Sequence, residues 1–355
     1  MEMSVLNDIL KQRGVPSLLS KEEMMDIMFR EEYGYMPPKP EKVSWEKEKI
    51  FGNFCAGKAT LDKVNITSEF GGKKFTFPVY VAMPTAEGKF PFFVHIAFRD
   101  DVPDRYMPTE ELIDNGFAVL TFCYKDVTSD DGDFTDGLAG VLYEDGKRSE
   151  TDAGKIAMWA WASHRVMDYA ESVDCLDKSV SVVCGQSRLG KTALLAGATD
   201  ERFVFTHSND SGCSGAAITK GKGGEHVIHV YGYNPFWYCK NYAKYVHNED
   251  LMQFDQHYLV ASIAPRYVSI ASAETDEGSC PESEMLTCVA ASPMWERFGK
   301  EGFVCDDRLP MVNDVYHKGS IGYILRKGTH YFGREDWQRL IEFINLHKAD
   351  TPVSK

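Results

Sequence analysis

From residue 91 onward the chain alternates short, unbroken apolar runs with helix-forming stretches, and few architectures accept that order. PFFVHIA (91–97), FAVLTFCY (117–124), SVSVVC (179–184), RFVFTHS (202–208), YVSIASA (267–273) and IGYILRK (321–327) lack the polar alternation of a half-exposed strand. Such runs fit strands buried on both faces. Helical segments lie between them: Thr109 to Asn115, residues 153–173, the TALLAGA run and the closing REDWQRLIEFINLH (334–347). This order predicts an α/β fold with a mixed, mostly parallel central sheet and helices on both faces. The antiparallel part comes first. Within 54–83, ATLDKVNITSEF and KFTFPVYVAM alternate in polarity around Gly71-Gly72, as the arms of a hairpin do.

Two other regions stand apart. Residues 1–50 read as a helical extension: Ser20 and Glu23 form a capping box before MMDIMFREEY, Gly34 stops that helix, and Pro37, Pro38 and Pro40 follow. Residues 51–355 then form one α/β domain, with 129–150 as a surface loop and 212–265 as an insertion over the sheet edge. A net charge of −14 argues against a nucleic-acid partner. No apolar stretch is long enough to span a bilayer, and MEMSVLNDILKQRG does not resemble a secretory signal. The nine scattered cysteines include no CxxC and read as free thiols in a reducing compartment. The expected location is therefore cytoplasmic.

The segment VVCGQSRLGKTALLAG (182–197) carries the most chemistry. GQSRLGKT (185–192) matches the phosphate-binding pattern G-x-x-x-x-G-K-[ST], in which Lys191 and Thr192 would serve a nucleotide and magnesium. The same residues put Ser187 at a strand-to-helix turn, the position of a nucleophile elbow. Context favours the elbow. A phosphate loop normally follows the first strand of its domain, and here several strands precede it. An elbow requires an acid and then a histidine after later strands, and Asp210, Asp276 and His330 occupy such positions. Ser187 as nucleophile and His330 as base predict an α/β-hydrolase fold. His95 and His257 read as structural, and His226 and His229 lack the companions of a zinc site.

The motifs WAWASHRVMDYAES, CGQSRLGKTAL, NDSGCSGAA, GGEHV, FDQHYLVASIAPR and KGTHYFGREDW, spread over about 90–347, resemble the glucuronoyl esterases, a bacterial-type carbohydrate esterase family. The resemblance implies hydrolysis of a 4-O-methyl-glucuronoyl or related sugar ester, without metal or organic cofactor. It implies Arg188 as the oxyanion-hole residue and Lys191 and Glu225 as sugar-binding residues. It allows the triad acid at Asp210 or Asp276; Asp210 resembles the commoner site and is the preferred expectation. Two positions depart from the family. Gly278 stands where a tryptophan usually packs on the sugar, and the basic pair before GGE is reduced to Lys220 and Lys222. The platform is therefore expected to be missing and glucuronate esters to bind weakly, with a high KM; tight binding would instead point to another aromatic, Trp237 or Tyr238, as the platform. Rival readings are an acetyl xylan or general small-ester hydrolase, a nucleotide-binding ATPase, and an inactive carbohydrate-binding scaffold. The oligomeric state is not legible.

Overall fold

A computed structural model describes residues 4–350, so the ends of both expected units lie outside the described residues. Its organising feature is one ten-stranded sheet with the order β1-β2-β3-β5-β4-β6-β7-β8-β10-β9. The first three strands, β1 (Lys42–Phe54), β2 (Ala59–Phe70) and β3 (Lys73–Pro84), are antiparallel neighbours. Gly71 and Gly72, both at positive φ, turn β2 into β3 with Phe70 opposite Lys73. The parallel core comprises β4 (Phe90–Ala97), β5 (Ala118–Cys123), β6 (Leu176–Gln186), β7 (Phe205–Asn209), β8 (Tyr267–Ala273) and, beyond the short β9 (Val315–Tyr316), β10 (Ile321–Arg326). The observed sheet is mixed and mostly parallel, as the alternation predicted.

Helices cover both faces. Thr109–Asp114 (α3) and Arg334–His347 (α11) enclose one apolar cluster with Phe93, Phe205, Phe332 and Trp337. The larger cluster lies on the other face. It holds α1 (Ser4–Gln12), α2 (Lys21–Met28), α4 (Gly137–Leu142), α5 (Lys155–Glu171), α6 (Arg188–Thr199), α7 (Val227–Tyr233), α8 (His257–Ala261), α9 (Pro281–Ala291) and α10 (Pro293–Glu296). All residues of α5 from Lys155 to Met167 are buried, which explains why its sequence is apolar nearly all round. No described helix is long and apolar enough to cross a membrane.

Three expectations need correction. The boundary at residue 50 falls inside β1, which pairs with β2 from Lys42 to Phe54. This edge strand is exposed along most of its length and rich in Lys and Glu. Charge of that kind keeps an edge from recruiting another strand, and it also erases the alternation that would reveal the strand. The helices before it are no appendage, because Leu6, Met24 and Met28 are fully buried in the larger cluster. The 129–150 surface loop contains α4, whose Leu138 and Ala139 are buried. The capping box of Ser20 and Glu23 forms, with both reciprocal bonds present.

The topology itself points to a place for chemistry. After β4 the chain moves to β5 on one side and then returns to β6 on the other. Crevices in open α/β sheets form outside the carboxyl ends of strands at such a reversal. The turn after β6 lies at this reversal, at the carboxyl end of its strand.

Candidate active site

Between the end of β6 at Gln186 and the start of α6 at Arg188 stands a single residue, Ser187. Its φ of 59° and ψ of −128° are costly for any residue with a side chain, and such strain gathers at functional sites. The surroundings enforce it. The Ser187 N–H donates to Asn209 O at 2.8 Å, while its carbonyl accepts from Gly190 and Lys191 N–H at 2.9 and 3.1 Å. Glycines permit the turn. A Cβ on Gly185 would lie 2.3 Å from Leu189 O, and one on Gly190 would lie 2.9 Å from Ser208 Oγ in β7. The second glycine thus falls at 190 because that is where α6 touches β7.

The phosphate-loop reading does not survive this geometry. Thr192 Oγ1 donates to Arg188 O at 2.9 Å, inside the helix. Lys191 is buried and its ammonium donates to Ser211 O. Burial lowers its pKa, opposed by the charge of Glu225. The Ser211–Gly212 backbone is anchored from the other side by Glu284, whose Oε1 accepts both N–H groups at 2.9 Å. Burial pushes the Glu284 carboxyl up to about 7.

Arg188 is half-buried beside Ser187. Its guanidinium pairs with Asp130 Oδ2 and lies 4.8 Å from the Trp237 ring centroid. Asp130 also accepts from Trp237 Nε1 at 2.7 Å and from Tyr124 OH at 2.8 Å. One carboxylate therefore fixes both the cation and the ring beneath it. Asp130 belongs to the Asp- and Gly-rich loop, and nothing in that composition distinguished it from its neighbours. Trp237 is only 6% exposed. This corrects its expected role as a sugar platform: its ring supports Arg188 and offers a ligand little surface. Tyr238 is fully buried.

His330 lies exposed in the loop between β10 and α11. Its Nδ1 is 2.6 Å from Asp276 Oδ2, which leaves Nε2 as the ring nitrogen available for proton transfer. Among the described residues no hydrogen bond joins this ring to Ser187; such bonds often tighten only when substrate is bound. Asp276 is further bonded by Ser279 N–H at 3.4 Å. Burial alone would raise its pKa, but the bonds from His330 and Ser279 and the charge of His330 hold it below the usual carboxylate range.

Asp210 was the preferred partner of His330 from the sequence, and the structure corrects that preference. Its Oδ2 accepts from Arg326 at 3.2 Å, from Asn209 Nδ2 at 2.8 Å and from Tyr331 N–H at 3.3 Å. Burial, then the charge of Glu284, pushes its carboxyl well above the ordinary range, and Arg326 only partly opposes this. A carboxyl driven toward its neutral form is a poor stabiliser of imidazolium. The sequence missed this because both acids follow the correct strands, and only side-chain direction separates them.

Asp210, Asp276 and His330 each bring one donor atom within 4.8 Å of the others. Within this trio Asp210 pairs with Arg326 and Asp276 with the imidazole. Glu225 is exposed, its N–H donates to Gly278 O at 3.0 Å, and its side chain lies beside Gly278. Lys220 and Lys222 are buried on backbone carbonyls, those of Asp250 and Gly223. His95 and His257 are buried and bonded to Thr121 Oγ1 and Pro16 O. Cys123, Cys184, Cys213, Cys239 and Cys288 are buried free thiols.

Known proteins share this arrangement of elements. A family model described as "Glucuronyl esterase, fungi" matches residues 65–299. Carbohydrate esterase MZ0003, from an unknown prokaryotic organism, is 37% identical over 243 residues, 67% of this chain and 55% of that protein. The 4-O-methyl-glucuronoyl methylesterase of Schizophyllum commune is 28% identical over 283 residues, 76% of this chain and 65% of that protein. The chain thus spans about half to two thirds of these curated relatives. Among solved structures, a glucuronoyl esterase from Solibacter usitatus has a TM-score of 0.84 at 29% identity, covering 92% of this chain and 91% of that one. A promiscuous CE15 esterase from a marine bacterial metagenome has a TM-score of 0.82 at 28% identity, with the same coverage.

Proposed function

The chain belongs to the glucuronyl esterase family, and from that premise we propose that it is a serine esterase acting on a sugar ester through Ser187, His330 and Asp276. The observation that carries the reading is the 2.6 Å pairing of His330 with Asp276 at the end of the sheet where the strained Ser187 turn also lies. His330 Nε2 takes the proton of Ser187 as the hydroxyl oxygen attacks the ester carbonyl. The oxyanion develops beside the first amides of α6 and the Arg188 guanidinium, which stabilise it more than the neutral carbonyl. His330 then returns the proton to the departing alcohol, and water repeats the sequence on the acyl-enzyme. Asp276 holds the ring orientation and stabilises the imidazolium.

Lys191 and Glu225 are proposed to bind hydroxyls of the sugar. Glu225 is supported by its exposed position next to Gly278; Lys191 is supported by the family resemblance and by its place in the first turn of α6, one turn past Ser187. A second reading, hydrolysis of small acetyl or benzyl esters, is favoured by the bare Gly278 and the buried Trp237, which leave the sugar without an aromatic face.

The test is covalent labelling with a fluorophosphonate, followed by assays on benzyl glucuronate, acetylated xylo-oligosaccharide and p-nitrophenyl acetate. Labelling at Ser187 and turnover abolished in Ser187→Ala are expected. A protein that is folded but unlabelled and inactive on all three esters would sink the proposal. Turnover of p-nitrophenyl acetate alone would favour the small-ester reading.

A further inference from the structure

The loop that carries His330 runs over one buried cation. Arg326 ends β10 and is only 7% exposed. Its Nη1 donates to Lys327 O at 3.1 Å and to Thr329 O at 3.2 Å. Its Nη2 donates to Tyr331 O and, at 3.2 Å, to Asp210 Oδ2. Its Nε donates to Asp336 Oδ1 at 2.6 Å. Three carbonyls of a five-residue loop, on both sides of His330, thus converge on one rigid planar group. The two carboxylates come from different elements. Asp210 follows β7. Asp336 is in the first turn of α11, where its Oδ2 also accepts the Gly333 N–H at 2.8 Å. Gly328 completes the fit: it sits at φ 107°, and a Cβ there would lie 3.3 Å from Arg326 Nη1.

We propose that Arg326 is a positioning residue for the esterase reaction: it shapes the 327–331 loop so that His330 meets Asp276, and it holds the Asp210 carboxyl as a structural hydrogen-bond partner. The inference rests on the reading of Ser187, His330 and Asp276 given above. The physical reason for an arginine is the number and directions of its donors. A guanidinium presents five N–H groups in a fixed plane, whereas an ammonium has three on one atom and cannot reach carbonyls and carboxylates lying on different sides. The chemistry next to it needs that rigidity. A general base is useful only within hydrogen-bond reach of the proton it abstracts, and a displacement of about 1 Å costs about a hundredfold in rate. Asp210 is then present beside the site for its bond to Arg326, which is why two acids follow the expected strands while one engages the imidazole.

The experiment compares Arg326→Lys, Arg326→Gln and Arg326→Ala with Asp276→Asn and wild type. Melting temperatures identify which variants fold. Expected for the folded Arg326 variants is a fall in kcat of about ten- to a hundredfold, KM for the same ester within about twofold, and fluorophosphonate labelling of Ser187 slowed by the same factor as kcat. Guanidinium ion at low, non-denaturing concentration should restore part of the rate of Arg326→Ala and none of the rate of Asp276→Asn. Wild-type kcat in Arg326→Lys or Arg326→Gln, or a loss confined to KM, would overturn the proposal. Should Arg326→Ala and Arg326→Gln fail to fold, Arg326→Lys alone decides, because it keeps the charge and removes the geometry. An unlabelled, inactive wild type would instead overturn the catalytic reading itself, so the two failures are distinct.

Discussion

At the scale of single residues, the two acids are separated by their partners. Asp276 bonds the imidazole and is held ionised, whereas Asp210 is buried on Arg326 and driven toward neutrality. Asp276→Asn is therefore expected to lower kcat by about 10⁴-fold with the melting transition retained, the size of loss seen when a triad acid is neutralised. Asp210→Asn should cost far less, because its amide can still accept from Tyr331 N–H. Equal losses in the two variants would refute the assignment. Gly278 supports a second expectation. It is not at positive φ, and a Cβ there would meet Asp276 Oδ1 and Glu225 Cγ at 3.6 Å, ordinary contact distances. Gly278→Trp should thus be accommodated and should supply an apolar face. Aromatic stacking of about 0.5–1.5 kcal/mol corresponds to a fall in KM for benzyl glucuronate of about two- to tenfold. An unchanged KM with intact folding would show that the sugar does not pass over this position.

At the scale of elements, the N-terminal helices belong to the domain they precede. Leu6 is fully buried in the larger core, and the start of α1 is held by Asp307, which accepts from Val5 N–H and Leu6 N–H at 3.0 Å. Leu6→Ala should destabilise the protein by about 2–5 kcal/mol, as expected for a buried leucine that leaves a cavity. Chemical denaturation of the two proteins measures this directly. An appended helix with its own independent fold would give a change near zero. The sequence read this region as an extension because its helices were visible while the strand that joins them to the sheet was not. An edge strand bonded on one side and wet on both faces has no physical need for alternating polarity.

At the scale of the whole molecule, the interior holds ionisable groups whose state depends on pH. Glu32 is fully buried, its carboxylate oxygens accept from Gln256 Nε2 at 3.2 and 3.0 Å, and burial pushes its pKa up to about 8. The folded state binds this proton more tightly than the unfolded chain, whose glutamates titrate near 4.3. Its contribution to stability is complete below that value and is lost as pH rises through about 8. Wild-type melting temperature should therefore decline between about pH 5 and 8 more steeply than that of Glu32→Gln, which is neutral throughout. Parallel profiles for the two proteins would show that Glu32 does not carry the effect.

Much of this was legible before any coordinates. Unbroken apolar runs separated by helices require a sheet buried on both faces, so the α/β class and the parallel core follow from the hydrophobic effect acting along the chain. Gly185 and Gly190 around Ser187 mark a sharp turn; the demand at Gly185 is local, because a Cβ there would strike Leu189 O, whereas that at Gly190 comes from Ser208 in β7. His330 and its two candidate acids could be placed after their strands because strand ends share one edge of the sheet. Tertiary structure alone decided what lies across gaps in sequence. Asp276 meets His330 over 54 residues, Asp210 meets Arg326 over 116, and Asp130 meets Trp237 over 107. Which carboxylate faces an imidazole depends on side-chain direction at the strand ends and on competing cations, and neither leaves a periodic trace in the chain.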